Sequence, residues 1–78
     1  MGETVKVLYF GTAQDAAGKK EEEITAADTA SLRSMLILKY PALGSIQFRM
    51  ALNRVLLKEE SILKKSDTIA ILPPFQGG

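Results

Sequence analysis

Only one stretch of this chain repeats its apolar residues at helical spacing. Leu32, Met35, Leu36, Tyr40 and Leu43 recur every few positions and would form one stripe along a helix. The other apolar segments alternate, which is strand behaviour: Val5-Lys6-Val7-Leu8-Tyr9-Phe10 near the start and Thr68-Ile69-Ala70-Ile71-Leu72 near the end. A chain built this way must cover one face of a sheet with its single helix. With 78 residues it makes one small domain, which buries only about 60–65% of its unfolded surface. It has no Cys and no His, so neither a disulfide nor a zinc site braces it. Stability must come from an apolar core, for which a hydrophobic fraction of 46% is sufficient.

The period of two turns Val5, Val7 and Tyr9 toward the core and Lys6, Leu8 and Phe10 away from it. Residues 11–18 are small and polar, bounded by glycines, and read as a connection. Residues 20–25 read as a second strand whose acids, Glu21, Glu22 and Glu23, mark a solvated edge that resists pairing with other chains. Asp28 or Thr29 caps the helix and Pro41 ends it. Ile37 and Leu38 fall off the main stripe and are expected to widen its buried face, the alternative being that they mark a contact surface. Over residues 47–56 the pattern returns to strands, with Phe48, Met50 and Leu52 inward, a tight turn at Asn53-Arg54, and a short strand at Val55-Leu56. Residues 58–65 read as a charged loop or short helical turn held down by Ile62 and Leu63. Ser66-Asp67 then turns the chain into a last strand with Ile69 and Ile71 inward and Ala70 and Leu72 outward. This order is α+β and predicts a β-grasp, ubiquitin-like fold: a mixed four- to five-stranded sheet with one main helix across one face. It spans residues 1–72, with a flexible tail over residues 73–78.

A net charge of +1 leaves no electrostatic footprint for nucleic acid or an acidic membrane surface. Met1-Gly2-Glu3-Thr4 opens no secretory signal, and the aliphatic runs are far short of a membrane span, so a soluble cytoplasmic protein is expected. Without Cys or His there is no nucleophilic triad and no iron–sulfur cluster. No GxGxxG or Walker A segment is present, so the chain is expected to bind no nucleotide, cofactor or metal itself. Glu59 and Glu60 read as solvated surface rather than an acid/base pair.

The chemistry that remains lies in Leu72-Pro73-Pro74-Phe75-Gln76-Gly77-Gly78. The prolines hold the base of this tail extended, whereas Gly77 and Gly78 form a thread thin enough for a narrow channel. A terminal Gly-Gly has chance odds of roughly one in two hundred. A carboxylate is a poor acyl donor until its oxygen is made a leaving group. Adenylation by ATP does that, and a sulfur donor replacing AMP would leave a thiocarboxylate on Gly78. Phe10, Leu56 and Leu72 are apolar residues that form a candidate contact patch, with Phe10 and Leu72 turned away from the helix.

Residues 5–10, Leu36-x-x-Lys39-Tyr40-Pro41-x-Leu43, Ala51-Leu52-Asn53 and the ending Ile69-Ala70-Ile71-Leu72-Pro73-Pro74-Phe75-x-Gly77-Gly78 resemble the MoaD/ThiS family of ubiquitin-like sulfur carriers, above all the small subunits of molybdopterin synthase. The resemblance implies that a MoeB-like enzyme adenylates Gly78 with ATP and that a sulfurtransferase system converts it to a thiocarboxylate. It further implies that the tail enters a MoaE-like large subunit, in a heterotetramer, to donate sulfur to cyclic pyranopterin monophosphate for molybdenum cofactor synthesis. The chain would thus be a non-catalytic subunit. The reacting residues would be Gly77 and Gly78, and the partner-binding residues Phe10, Leu56, Leu72, Pro73, Pro74, Phe75 and Gln76. Two other uses of the same ending stay open: a ThiS-like carrier for thiamine thiazole synthesis, and a ubiquitin-like modifier joined to lysines through Gly78. Ala13-Gln14-Asp15 and Ser66-Asp67-Thr68 depart from the family's usual residues at those places.

Overall fold

The computed structural model describes residues 2–74. Strand β1 (Glu3–Tyr9) is followed by helix α1 (Thr12–Ala17), strand β2 (Glu21–Ala26), helix α2 (Thr29–Lys39), strands β3 (Arg49–Leu52) and β4 (Val55–Leu56), and strand β5 (Thr68–Leu72). The strands form one mixed sheet in the order β2-β1-β5-β3-β4. The first and last strands lie side by side and parallel, with β2 antiparallel to β1 and β3 antiparallel to β5. This is the β-grasp arrangement, and β2 is the edge strand the acids foretold.

Val5, Val7 and Tyr9 of β1, Ile24 and Ala26 of β2, Met50 of β3 and Ile69 and Ile71 of β5 make the inner face of the sheet, and all are buried. Leu32 and Leu36 of α2 and Leu43 beyond it cover that face and are wholly buried. Each such leucine contributes about 1.5–3 kcal/mol through removal from water. Asp28 caps α2, its carboxylate accepting from the Ser31 N–H at 2.7 Å. Pro41 ends the helix and opens a 3-10 turn, Pro41–Ser45, that carries Leu43 into the core.

Four expectations change. Residues 11–18 are not a plain connection but contain α1, whose Ala13 and Ala17 are buried on the core. Met35 lies on the predicted stripe yet is exposed, because the sheet meets the side of the helix carrying Leu32 and Leu36. Ile37 and Leu38 do not widen the buried face, and Leu38 is 83% exposed. Of the two residues expected to hold down the 58–65 loop, Leu63 is buried and Ile62 is 78% exposed.

That loop is also held by polar contacts to the start of α2. The Thr29 N–H donates to the Ser61 carbonyl at 2.9 Å, and the Ser61 N–H donates back to Thr29 Oγ1 at 2.9 Å. Thr29 Oγ1 donates to Glu60 Oε1 at 2.6 Å, and Arg33 pairs with the other oxygen of Glu60. Glu60, expected as free surface, is therefore a bracket between loop and helix.

Asn53 and Arg54 both have positive φ, 49° and 74°, as a two-residue hairpin turn of the right twist requires. The Asn53 side chain also reaches the turn before β5, accepting from the Thr68 N–H at 2.9 Å and donating to Asp67 Oδ1 at 3.0 Å. Both chain reversals beside β5 are thereby tied together.

Candidate functional site

Two polar or apolar groupings could carry function: a cluster around Glu22 and the outer face of the sheet. Glu22 pairs across the sheet with Val7 and so points inward, its side chain only 12% exposed, contrary to the solvated edge expected of it. Tyr9 Oη donates to Glu22 Oε2 at 2.6 Å, Tyr40 Oη donates to the same oxygen, and Lys39 Nζ donates to Oε1 at 2.7 Å. The two rings meet edge to face with centroids 5.9 Å apart. Burial alone would raise the Glu22 pKa, but the hydrogen bonds from Lys39, Tyr40 and Tyr9 outweigh it and bring it down from 4.5 to about 2. Burial, together with the hydrogen bond to Glu22, pushes the Tyr9 hydroxyl well above the ordinary tyrosine range, so it remains a donor.

A carboxylate this acidic, with its oxygens already taken, is a poor general base near neutral pH. Its work is to tie the end of α2 to β2. A lowered folded-state value means stability that is full above the unfolded value of 4.5 and lost as pH falls toward about 2. The expected loss over that window is about 3 kcal/mol. Urea unfolding followed by circular dichroism at successive pH values measures it, and E22Q should show a much flatter decline.

The outer face is built by cross-strand register. Leu8 lies opposite Ala70, Ala70 opposite Ala51, and Ala51 opposite Leu56, so one apolar row crosses four strands. Leu72 lies opposite Arg49, and the Phe10 N–H donates to the Ile71 carbonyl at 3.1 Å, which brings Phe10 alongside Leu72. Phe10 is 44% exposed, while Leu8, Leu56, Ala70 and Leu72 are half-buried. The candidate residues Phe10, Leu56 and Leu72 therefore share one face, joined by Leu8, Ala70 and Ala51. These three were missed as site residues, although the alternation of β1 and β5 already placed Leu8 and Ala70 outward.

A shallow open depression runs over Leu8, Phe10, Thr68 and Ala70, with Glu21 and Arg54 on its walls. Lys6 and Glu21 form an exposed pair at 3.6 Å beside it, and Arg49 is exposed next to Leu72. An apolar centre with a charged rim is the usual anatomy of a protein-docking surface.

The chain leaves the sheet at the edge of this face. Pro73, expected among the partner-binding residues, is fully buried and belongs to the packed domain, whereas Pro74 is exposed. The packing thus continues one residue past the expected boundary at Leu72. Phe75, Gln76, Gly77 and Gly78, expected to dock and to carry the reacting carboxylate, lie outside the described residues. Among the described residues no group of three or more acidic side chains could hold a metal ion, and no helix is long and apolar enough to cross a membrane.

The sequence family described as the ThiS family matches residues 7–78. This chain belongs to the ThiS family. Among curated relatives, the molybdopterin synthase sulfur carrier subunit of Caenorhabditis briggsae is 34% identical over 82 residues, covering 96% of this chain and 98% of the relative. The protein of the same description from Chlamydomonas reinhardtii is 33% identical over 81 residues, covering 95% and 98%. Among solved structures, the small archaeal modifier protein 1 of Methanosarcina acetivorans superposes with a TM-score of 0.86 at 28% identity, covering 100% of this chain and 99% of that one. A chain of the Helicobacter pylori complex of subunits 1 and 2 of molybdopterin-converting factor superposes with a TM-score of 0.73 at 31% identity, covering 96% and 99%. These likenesses run nearly end to end, and the solved structures share the fold of this chain.

Proposed function

We propose that this chain is the sulfur carrier subunit of a molybdopterin synthase, a subunit that presents a reactive terminus and leaves catalysis to its partners. The observation that carries the reading is the end-to-end similarity to several proteins of that description. The apolar outer face lying where the tail departs suits the same role. A MoeB-like enzyme would let the Gly78 carboxylate attack the α-phosphorus of ATP, releasing pyrophosphate and leaving an acyl-adenylate. A sulfide-level sulfur nucleophile presented by a sulfurtransferase would then attack the acyl carbon and expel AMP, giving the thiocarboxylate. In a heterotetramer with a MoaE-like large subunit, the tail would carry that sulfur to cyclic pyranopterin monophosphate, and water would restore the carboxylate. Gly77 and Gly78 supply the slim tip, and Phe10, Leu56 and Leu72, with Pro74, Phe75 and Gln76, are assigned to docking. The preorganised charges that stabilise the transition states belong to the partners.

The test is intact-mass analysis of the protein isolated from cells that make the cofactor. The expected species has one carboxyl oxygen replaced by sulfur, is lost on treatment with an alkylating reagent that caps thiocarboxylates, and is absent when the adenylating enzyme is deleted. A second reading, a protein modifier, is favoured by the likeness to the archaeal modifier protein. It predicts isopeptide adducts of Gly78 on lysines instead.

A further inference from the structure

Buried Pro73 sits against a corner that comes from the opposite end of the chain. Gly11, at the corner between β1 and α1, has φ 54° and ψ −129°, a conformation that only glycine adopts without strain. A Cβ at this position would stand 2.7 Å from Pro73 Cγ and 3.6 Å from Pro73 Cδ. A proline ring has little freedom to swing aside, and this one is wholly buried. The corner itself is held. The Phe10 N–H donates to the Ile71 carbonyl at 3.1 Å, the Ala13 N–H to the Phe10 carbonyl at 3.0 Å, and the Gln14 N–H to the Gly11 carbonyl at 3.0 Å.

Phe10 and Leu72 are neighbours on the docking face, and the next residue of each strand, Gly11 and Pro73, meet in this contact. In the sulfur-carrier reading the reacting group sits on Gly78, so the arm beyond Pro74 is residues 75–78, which span at most about 14 Å when fully extended. An arm so short has little slack to correct a wrong exit angle.

We propose that the Gly11–Pro73 contact sets the direction in which the tail leaves the domain, which makes Gly11 a positioning residue for sulfur transfer. This rests on the sulfur-carrier reading. Docking the outer face then also aims the terminus at the partner's site, and the missing side chain at Gly11 is what allows the aim.

The test is a mutant cycle with G11A, P73A and the double variant, with G18A as a control. Gly18 also has a positive φ, of 74°, but nothing lies within 4 Å of a Cβ placed there. Thiocarboxylated carrier is mixed with saturating large subunit, and the rate of sulfur transfer is read in a single turnover. Affinity for the large subunit is measured separately with chains ending at Pro74. G11A and P73A should each slow transfer about tenfold, the double variant about tenfold rather than a hundredfold, and G18A less than twofold. The truncated chains should bind within about twofold of one another.

Transfer within twofold of wild type in both single variants, multiplied effects in the double, or a parallel fall in affinity would each overturn the proposal. If G11A does not fold, P73A tests the same contact from the other side. Hydrogen exchange at the Phe10 amide reads the seat without reference to sulfur: protection should fall in G11A and P73A and hold in G18A. Wild-type protein that never transfers sulfur while this pattern holds would sink the carrier reading and leave the seat standing.

Discussion

Appending one residue after Gly78 should abolish sulfur transfer while docking to the large subunit stays within about twofold of wild type. In the proposed mechanism the added peptide bond turns the reacting carboxylate into an amide, whose nitrogen is a far worse leaving group than AMP and which has no carboxylate oxygen to adenylate. The new terminal carboxylate would stand one residue farther out, on a side chain-bearing residue that the slim Gly-Gly tip is built to avoid. The residues of the outer face are untouched, so the docking energy persists. Transfer should fall by at least a thousandfold, equivalent to about 4 kcal/mol in the barrier, and single-turnover assays alongside calorimetric titration separate the two effects. Retained transfer would remove Gly78 from the chemistry and overturn the carrier mechanism.

The second large effect comes from neighbouring residues on opposite faces. Leu72→Asp is expected to keep the fold and lose partner binding by about a hundredfold, whereas Ile71→Asp should not fold. Leu72 is half-buried on the outer face opposite Arg49, so an aspartate there meets solvent and a guanidinium. In a complex the same charge would be pressed into an apolar interface, at a cost of several kcal/mol unless it finds a partner. Ile71 is wholly buried against the helices, and a carboxylate in that position removes its packing and buries an unpaired charge. Thermal unfolding and binding to the large subunit, measured on both variants, check the pair. Equal loss of stability in the two would mean that Leu72 belongs to the core.

Much of the fold was legible because a strand's facing is a local matter. Val5, Val7 and Tyr9 are inward and Leu8 and Phe10 outward for no reason beyond a period of two, and Ile69 and Ile71 follow the same rule. Asp28 announced the start of α2 and Asn53 the hairpin turn, each through a property of its own side chain. Helix α1 was not legible. Six residues, Thr12 to Ala17, have too little helical tendency to stand alone, and the segment is helical because Ala13 and Ala17 find room on the core. In α2 the apolar residues are too many for one stripe, so the identity of the buried ones, Leu32 and Leu36 rather than Met35 or Leu38, depended on where the sheet lay. Glu22 looked like its neighbours Glu21 and Glu23 until Tyr9 and Tyr40 were brought to it.

The candidate site divides along the same line. Legible from the residues alone were Gly-Gly at 77–78, a β-grasp order of elements, and apolar side chains at 10 and 72 turned away from the core, whereas Leu56 had no facing assigned by alternation and joined them as an apolar residue matched by the family resemblance. Those conclusions rest on period, spacing and residue type, which neighbours in the chain are enough to reveal. It took the folded sheet to join Leu8, Ala70 and Ala51 with those residues in one face, and to make Pro73 a buried contact of Gly11 instead of part of the exposed arm. The physical reason is register. Which residues of distant strands lie opposite one another is set by cross-strand hydrogen bonding, and the parallel pairing of β1 with β5 is what brings the first corner of the chain to the root of its tail.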